Sequence, residues 1–248
     1  MKAILTYHSI DGSGSPISVD EASFRAHVSW LAAGHCRVVS LEELLQLPED
    51  AAAVSLTFDD GFQNFADIAW PLLHEHGLSA TVFVVSDHVG RDNAWSSAKG
   101  ANVPILPLMS WDTLGRVAEE GVTLGSHTRT HPNLRFASIS SLTDEIAGAA
   151  ARIRTHTGKQ PKTFAYPYGG LNRAAVAKVG TTHSLACTTE LRALRAGDDP
   201  LQLPRLDAFY FRRPGMLESW GSGAFRRYVW LRASGRFVRR ALELTGAL

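Results

Sequence analysis

The chain has 248 residues, of which 45% are hydrophobic and 20% are charged, and its formal net charge is +1. This composition fits one large globular domain or two small ones, and the near-neutral charge gives no general attraction to nucleic acid. Two cysteines and the lack of an apolar run of membrane length argue against a disulfide scaffold and a transmembrane helix. The short apolar start does not resemble a signal peptide, so we expect a cytoplasmic protein.

Short apolar runs alternate with helical patterns along the chain. The runs that predict strands are residues 3–6, 37–39, 53–58, 81–85, 122–124, 163–166 and 184–188. The helical patterns begin at a capping box of Ser18 and Glu21, after Ser40 and at Ser110, and also cover residues 65–76, 143–157 and 174–179. This alternation predicts an α/β protein whose parallel strands close, or nearly close, into a barrel.

The most unusual segment is Thr-Phe-Asp-Asp-Gly at residues 57–61, where a predicted buried strand ends. Adjacent carboxylates repel each other, and removing both from water is costly. A bound cation explains the pair, because one carboxylate can bind the metal while the other accepts a proton. We therefore interpret residues 59 and 60 as part of a metal site.

His127 and His131 have the spacing of two imidazoles that bind one metal ion. Pro132 disfavours a helical conformation at His131, which predicts a turn after a strand. Two unrelated surface histidines would be the better explanation of this spacing if the motif stood alone. Together with Asp59 and Asp60, the pair completes a set of one carboxylate and two imidazoles, a known type of catalytic metal site.

Polar residues follow four of the predicted strands, at positions 7–8, 59–60, 126–131 and 167–169. Because the carboxyl ends of parallel strands share one face of a barrel, we expect these clusters to converge on one site. His8 is also compatible with a histidine buried in the core. Residues 166–170 form either a simple tight turn or a turn that presents a backbone N–H to a developing oxyanion.

These motifs together resemble those of the polysaccharide deacetylases of carbohydrate esterase family 4, which have the NodB-homology fold. Residues 57–61 match the family's first motif, residues 127–132 match the second, and residues 164–169 match a variant of the third. The resemblance covers residues 1–213 and implies an α/β fold, a distorted (β/α)7 barrel with parallel strands.

The resemblance also implies one divalent metal held by Asp60, His127 and His131, with Asp59 as general base. The metal is usually zinc, although imidazole and carboxylate ligands also accept cobalt, nickel and iron. Attack on an N-acetyl carbonyl would release acetate and a free amine.

The sequence departs from the family pattern in two places. Ala165 stands where the third motif usually has an arginine that braces the base, and the late leucine-x-x-histidine motif that supplies the acid is not recognisable. Tyr7 and His8 are instead typical of the branch that contains poly-N-acetylglucosamine deacetylases, which implies that His8 is the acid. Arg205 is our candidate for the missing brace, and a surface salt bridge between Arg205 and Asp207 is the alternative.

Further residues are expected to line the substrate. We expect Tyr166, Pro167 and Tyr168 at the substrate and oxyanion site, with the backbone N–H of Tyr168 as the donor. Trp95 lies in a long segment, residues 87–108, whose length suggests a functional loop. Its ring either stacks on a sugar face or anchors the loop.

Residues 214–248 form a basic extension outside the resemblance. Arginines and apolar residues alternate there as in an amphipathic helix, with an interruption expected at Gly235: Phe225, Arg226, Arg227, Tyr228, Trp230, Leu231, Arg232, Arg236, Phe237, Val238, Arg239, Arg240 and Leu242. The helix either packs on the barrel with its arginines in water or binds an anionic membrane surface or a partner. The second alternative would make the protein membrane-associated and would suit a lipid-linked sugar.

The sequence thus predicts a metal-dependent hydrolase that removes N-acetyl groups from an amino sugar or glycan. Its expected partner is an N-acetylated saccharide or glycolipid, and no nucleic acid is expected. One alternative is a metal hydrolase of another amide, ester or phosphoester, although phosphoesterases usually need a denser cluster for two metals. Another alternative is a barrel that binds glycans without catalysis.

Overall fold

Short, mostly buried strands form the centre of the molecule. The computed structural model describes residues 1–95 and 102–245, with side chains in the last helix described as far as residue 236. In this part of the chain the strands are β1 (Lys2–Tyr7), β2 (Ser9–Ile10), β3 (Ser18–Val19), β4 (Arg37–Val38), β5 (Ala53–Phe58), β6 (Thr81–Val84), β7 (Thr123–Ser126), β8 (Thr163–Ala165), β9 (Leu185–Cys187) and β10 (Leu206–Asp207).

The main sheet is parallel throughout and runs in the order β10-β1-β5-β6-β7-β8-β9, with β4 paired to the first half of β5. It curls towards closure, because Cys187 in β9 forms a bridge with Leu203 just before β10. This arrangement confirms the predicted distorted (β/α)7 barrel. Tyr7 pairs with Phe58, and Val84 pairs with Ser126. The residues that follow these strands therefore meet at one edge of the sheet.

Helices connect the strands and cover the sheet. They are α1 (Glu21–Ala32), α2 (Leu41–Gln46), α3 (Trp70–Glu75), α4 (Trp111–Glu119), α5 (Ile139–Thr143), α6 (Ala149–Thr157), α7 (Arg173–Val179) and α8 (Gly223–Thr245). One π-helical segment, Phe65–Ala69, precedes α3, and another, Asp144–Gly148, joins α5 to α6. The predicted caps Ser40 and Ser110 are confirmed, because each hydroxyl accepts a hydrogen bond from a backbone N–H in the first turn of its helix.

Two helix starts were predicted wrongly, and one strand of the main sheet was missed. Ser18 does not cap α1, because it belongs to the short strand β3, and Asp20 takes that role by accepting from the Ser23 N–H at 2.9 Å. The helix expected to begin at residue 143 begins at Ile139, where Ser138 caps it. The two-residue strand β10, which pairs with β1, was not expected at all.

The C-terminal helix α8 packs against the barrel through its first half. Phe225 and Val229 are buried, and the Phe225 ring stacks on Phe211 with the centroids 5.2 Å apart. The helix continues through Gly235 without the expected interruption. The expectations for Phe237, Val238, Arg239, Arg240 and Leu242 concern side chains outside the described residues. Among the described residues, no helix combines the length and the apolar character needed to span a bilayer.

Candidate active site

Three potential metal ligands converge where β5 and β7 end. Asp60 Oδ1 lies 3.4 Å from His127 Nε2 and 3.3 Å from His131 Nε2, and the two Nε2 atoms are 3.2 Å apart. All three side chains are buried, and Asp60 Oδ1 has no hydrogen-bond partner. A buried carboxylate oxygen without a partner is costly, so the geometry calls for a further group at this point.

The hydrogen bonds of the two imidazoles suit metal binding. His127 Nδ1 lies 2.7 Å from the Ala165 carbonyl oxygen, which can only accept, so Nδ1 carries the proton and the Nε2 lone pair faces Asp60. His131 Nδ1 lies 2.8 Å from the Tyr168 hydroxyl, which can accept the Nδ1 proton and so leave the Nε2 lone pair of His131 facing Asp60. One carboxylate oxygen and two imidazole nitrogens fit zinc or a similar divalent ion, and an open position remains for water or substrate.

The charges and the burial of this cluster favour an ionised Asp60 beside a neutral His131. Burial alone would raise the pKa of Asp60, but the facing rings of His127 and His131 hold it far below its usual value. Burial lowers the pKa of His131 and so favours the neutral ring that a metal requires.

The backbone is strained at the same place. In the described part of the chain, four non-glycine residues have positive φ, namely Asp60 (72°), Thr128 (66°), His131 (62°) and Tyr168 (59°). Each such conformation costs on the order of 1 kcal/mol and persists only where the surrounding structure enforces it. All four residues belong to the segments that follow β5, β7 and β8, so the strain is concentrated where the candidate ligands converge.

Glu145 holds the loop that carries both histidines. Its carboxylate accepts hydrogen bonds from the Arg129 N–H at 2.9 Å, the Thr130 N–H at 2.9 Å and the Thr130 hydroxyl at 2.7 Å. Within the loop, the Thr128 hydroxyl accepts from the His131 N–H at 3.0 Å. Glu145 was not predicted as part of the site, because a glutamate in a helix before an apolar position carries no distinctive signal.

Asp59 does not join the ligand cluster but forms a buried ion pair with Arg205. Arg205 Nη1 lies 2.6 Å from Asp59 Oδ1, and Nη2 lies 2.7 Å from Oδ2. The guanidinium also donates to the Thr188 carbonyl at 2.9 Å. Burial opposes the ionisation of Asp59, yet Arg205 holds the pKa of this carboxyl below its usual range. Arg205 thus pairs with Asp59 rather than with Asp207, which was the alternative in the sequence analysis.

His8 lies on the other side of Asp59, and its side chain is 23% exposed. Its Nε2 is 3.7 Å from Asp59 Oδ2. The preceding Tyr7 points away into the core, where its hydroxyl lies 3.0 Å from His27 Nδ1. Asp207 ends β10 and pairs in register with Thr6, two residues before His8. Burial raises the pKa of Asp207, and the charges of His8 and Arg236 act in the opposite direction.

The segment after β8 places only one of its predicted residues beside the cluster. Tyr168 contacts His131 through its hydroxyl, and Pro167 is buried in the turn before it. The side chain of Tyr166 does not line the site as expected, because it is fully buried and donates to the Leu201 carbonyl at 3.1 Å. Tyr166 is therefore part of the core.

Trp95 packs against the ring of His131, one of the candidate metal ligands. Its ring centroid is 4.4 Å from that of His131, and only 6% of the residue is exposed. It clusters with Phe62, Val85 and Leu108, which favours the loop-anchoring alternative over stacking on a sugar. Residues 96–101 of this loop lie outside the described residues.

A curled sheet of parallel strands with ionisable side chains gathered at its carboxyl edge defines the class of α/β barrels whose active sites lie at that edge. The chain belongs to the polysaccharide deacetylase family, whose model matches residues 47–183. The resemblance described from the motifs is therefore confirmed.

Individual relatives agree with this family. The chain is 26% identical to the poly-beta-1,6-N-acetyl-D-glucosamine N-deacetylase of Staphylococcus epidermidis over 212 residues, which cover 77% of this chain and 70% of that protein. The structure of IcaB from Ammonifex degensii matches with a TM-score of 0.73 at 24% identity and covers 91% of this chain and 96% of that chain. The Streptococcus pyogenes deacetylase PplD in complex with acetate matches with a TM-score of 0.69 at 22% identity, over 83% and 91% of the two chains. These structures support the fold.

Proposed function

We propose that this protein is a metal-dependent hydrolase that removes N-acetyl groups from an amino sugar within a glycan. The proposal rests on one observation: Asp59, a buried carboxylate, is held by Arg205 directly beside a three-residue metal donor set. Three protein donors leave room for substrate, and a second carboxylate kept outside the donor set is available for proton transfer. A metal held by Asp60, His127 and His131 would polarise the acetyl carbonyl as a Lewis acid.

Asp59 is the proposed general base. Both of its oxygens pair with Arg205, which fixes the orientation of the carboxylate and keeps it ionised. Each oxygen retains a second lone-pair site, so Asp59 can accept the proton of the attacking water while it remains paired. Arg205 is therefore the proposed brace, in place of the arginine that the third motif lacks at Ala165.

His8 is the proposed general acid. It is close to Asp59, and part of its ring is exposed, so a substrate at the edge of the sheet can reach it. As the C–N bond breaks, the leaving nitrogen takes the proton from His8, and the products are acetate and the amine.

Two finer predictions accompany this mechanism. The backbone N–H of Tyr168 as an oxyanion donor stays a prediction, supported by the contact that brings this residue to His131. Contact of α8 with an anionic membrane surface also stays a prediction, and the exposed side chains that favour it are Trp230 and Leu231. The name of the Staphylococcus epidermidis relative suggests an N-acetylglucosamine polymer as the first substrate to test.

The decisive experiment separates the two aspartates. Asp59→Asn should abolish acetate release from N-acetylglucosamine oligomers while zinc, measured by plasma mass spectrometry, stays near one equivalent. Asp60→Asn should lose both the metal and the activity. If Asp59→Asn also lost the metal, the assigned roles of the two residues would be wrong.

The same samples separate the alternative functions. Two equivalents of bound metal would favour a phosphoesterase-type site. Glycan binding without acetate release in zinc-loaded wild-type protein would favour a binding module. A bell-shaped pH dependence of acetate release in the zinc-loaded wild-type protein would support acid–base catalysis by the groups named above.

A further inference from the structure

Asn64 joins the residues that follow His8 to the segment that carries the two aspartates. Its Oδ1 accepts a hydrogen bond from the Ile10 N–H at 3.2 Å, and its Nδ2 donates to the Ser9 hydroxyl at 2.7 Å. A backbone N–H can only donate, so the amide oxygen of Asn64 faces Ile10 and the amide nitrogen faces Ser9. Ser9 and Ile10 are buried, so the loss of this amide is costly.

A second attachment lies before His8. The Asp59 N–H donates to the Tyr7 carbonyl at 2.9 Å. Tyr7 also pairs in register with Phe58, and the two rings stack with their centroids 5.0 Å apart. The backbone is therefore held to the segment of Asp59 on both sides of His8, by the strand pairing before it and by Asn64 after it.

We propose that Asn64 is a positioning residue for the acid step, which fixes the backbone on the far side of His8. This inference rests on the proposed function. His8 Nε2 lies 3.7 Å from Asp59 Oδ2, which is beyond direct hydrogen-bond distance, so this contact does not lock the ring. The place of the ring then depends on the backbone that carries it. A proton donor displaced by about 1 Å can lose about a hundredfold in rate.

Two acetyl substrates separate the position of the acid from damage to the rest of the site. In both reactions the oxygen of water bonds to the acetyl carbon, and Asp59 takes a proton from that water. In an N-acetyl glycan the C–N bond breaks, and the nitrogen takes the electron pair and a proton from His8. The proton on Asp59 then restores His8 through solvent. In nitrophenyl acetate the C–O bond breaks, and nitrophenolate leaves as an anion that needs no proton.

The kinetic test compares these substrates in zinc-loaded protein. Asn64→Ala should lower kcat/KM for N-acetylglucosamine oligomers by about tenfold to a hundredfold and that for nitrophenyl acetate by less than about twofold. Ser9→Ala removes one of the two hydrogen bonds, so the same selective loss should be smaller. Gln63→Ala is the matched control, because the Gln63 amide donates to Asp67 at 2.8 Å within its own segment. An equal fall for both substrates in Asn64→Ala would indicate a structural role and overturn the proposal.

A crystal structure of zinc-loaded Asn64→Ala gives a readout that does not depend on turnover. The His8 ring should leave its place beside Asp59 in this variant and keep it in Gln63→Ala. If Asn64→Ala does not fold, Ser9→Ala provides the same comparison. An unmoved His8 refutes the inference, whereas a displaced His8 together with a wild-type protein that releases no acetate from the glycan refutes only the proposed function.

Discussion

Arg205 and Asp59 form a buried ion pair between residues that are 146 positions apart in the sequence. Arg205→Met leaves the carboxylate of Asp59 buried without its counter-charge. Breaking such a pair costs about 3–5 kcal/mol, so we expect a fall of this size in the free energy of unfolding, measured by urea denaturation. Acetate release should fall as well, because the base loses its orientation.

Arg205→Lys is the matched variant. Lysine keeps the charge but cannot make two parallel hydrogen bonds to a carboxylate, so we expect only partial recovery of stability and activity. A change of less than about 0.5 kcal/mol in Arg205→Met, the size of an ordinary surface substitution, would show that the pair does not stabilise the fold.

Tyr168 contacts His131, one of the candidate metal ligands. Its hydroxyl lies 2.8 Å from His131 Nδ1, and such contacts fix the orientation of a ligating imidazole. Tyr168→Phe should lower zinc affinity about tenfold, measured by competition with a coloured chelator. Tyr166→Phe is the control, because that hydroxyl bonds to Leu201 and not to the site. Equal affinities in the two variants would contradict this role.

Residues with unusual chemistry were predictable from the sequence, but the groups that hold them in position were not. Adjacent buried carboxylates at 59 and 60 and the spaced histidines at 127 and 131 have few structural explanations, so the pattern identified them. Glu145 and the Ala165 carbonyl also shape the site, yet the first is a common helix residue and the second is a backbone group. Their roles depend on tertiary contacts that no local pattern reports.

At the scale of elements, the long strands were predictable, but of the two-residue strands only β4 was. β5 has six residues and is buried throughout, whereas β10 has only two residues and its pairing with β1 depends on the rest of the barrel. This missed strand explains why the sequence left two partners open for Arg205.

His183 ties the turn after α7 to β7 and makes stability depend on pH. Its Nε2 lies 2.9 Å from the Ser126 hydroxyl, and burial lowers the pKa of His183 to about 4. The unfolded chain binds a proton near pH 6.5, so between pH 6.5 and 4 it holds more protons than the folded chain. The free energy of unfolding should therefore fall on acidification, by at most about 1.4 kcal/mol per pH unit from this group.

In His183→Gln the free energy of unfolding should depend less steeply on pH, by up to about 1.4 kcal/mol per pH unit. Urea denaturation at several pH values between 4 and 7 measures it. His156→Gln is the control, because His156 is exposed and stacks on Trp111 at the surface. If His183→Gln and wild type had parallel pH profiles, the buried histidine would not be the source of the acid sensitivity.

On the scale of the whole molecule, the barrel combines strain and uncompensated charge at one edge of its sheet. Four left-handed residues and the unpartnered Asp60 Oδ1 lie there, next to the buried ion pair of Asp59 and Arg205. Such a site raises the free energy of the folded state until a ligand offsets the cost. Metal binding should consequently stabilise the entire fold and not only the loops that carry the ligands.

A divalent metal that binds only the folded chain adds about 2.7 kcal/mol at a free concentration one hundred times its dissociation constant. For a protein of this size, that corresponds to a rise of about 5–10 °C in the midpoint of thermal unfolding, measured by calorimetry with and without zinc. Asp60→Asn should abolish the rise, and Asp59→Asn should keep it, because only Asp60 belongs to the donor set. An equal rise in wild type and in both variants would mean that zinc binds elsewhere, because replacing Asp60 would then have no effect on zinc binding.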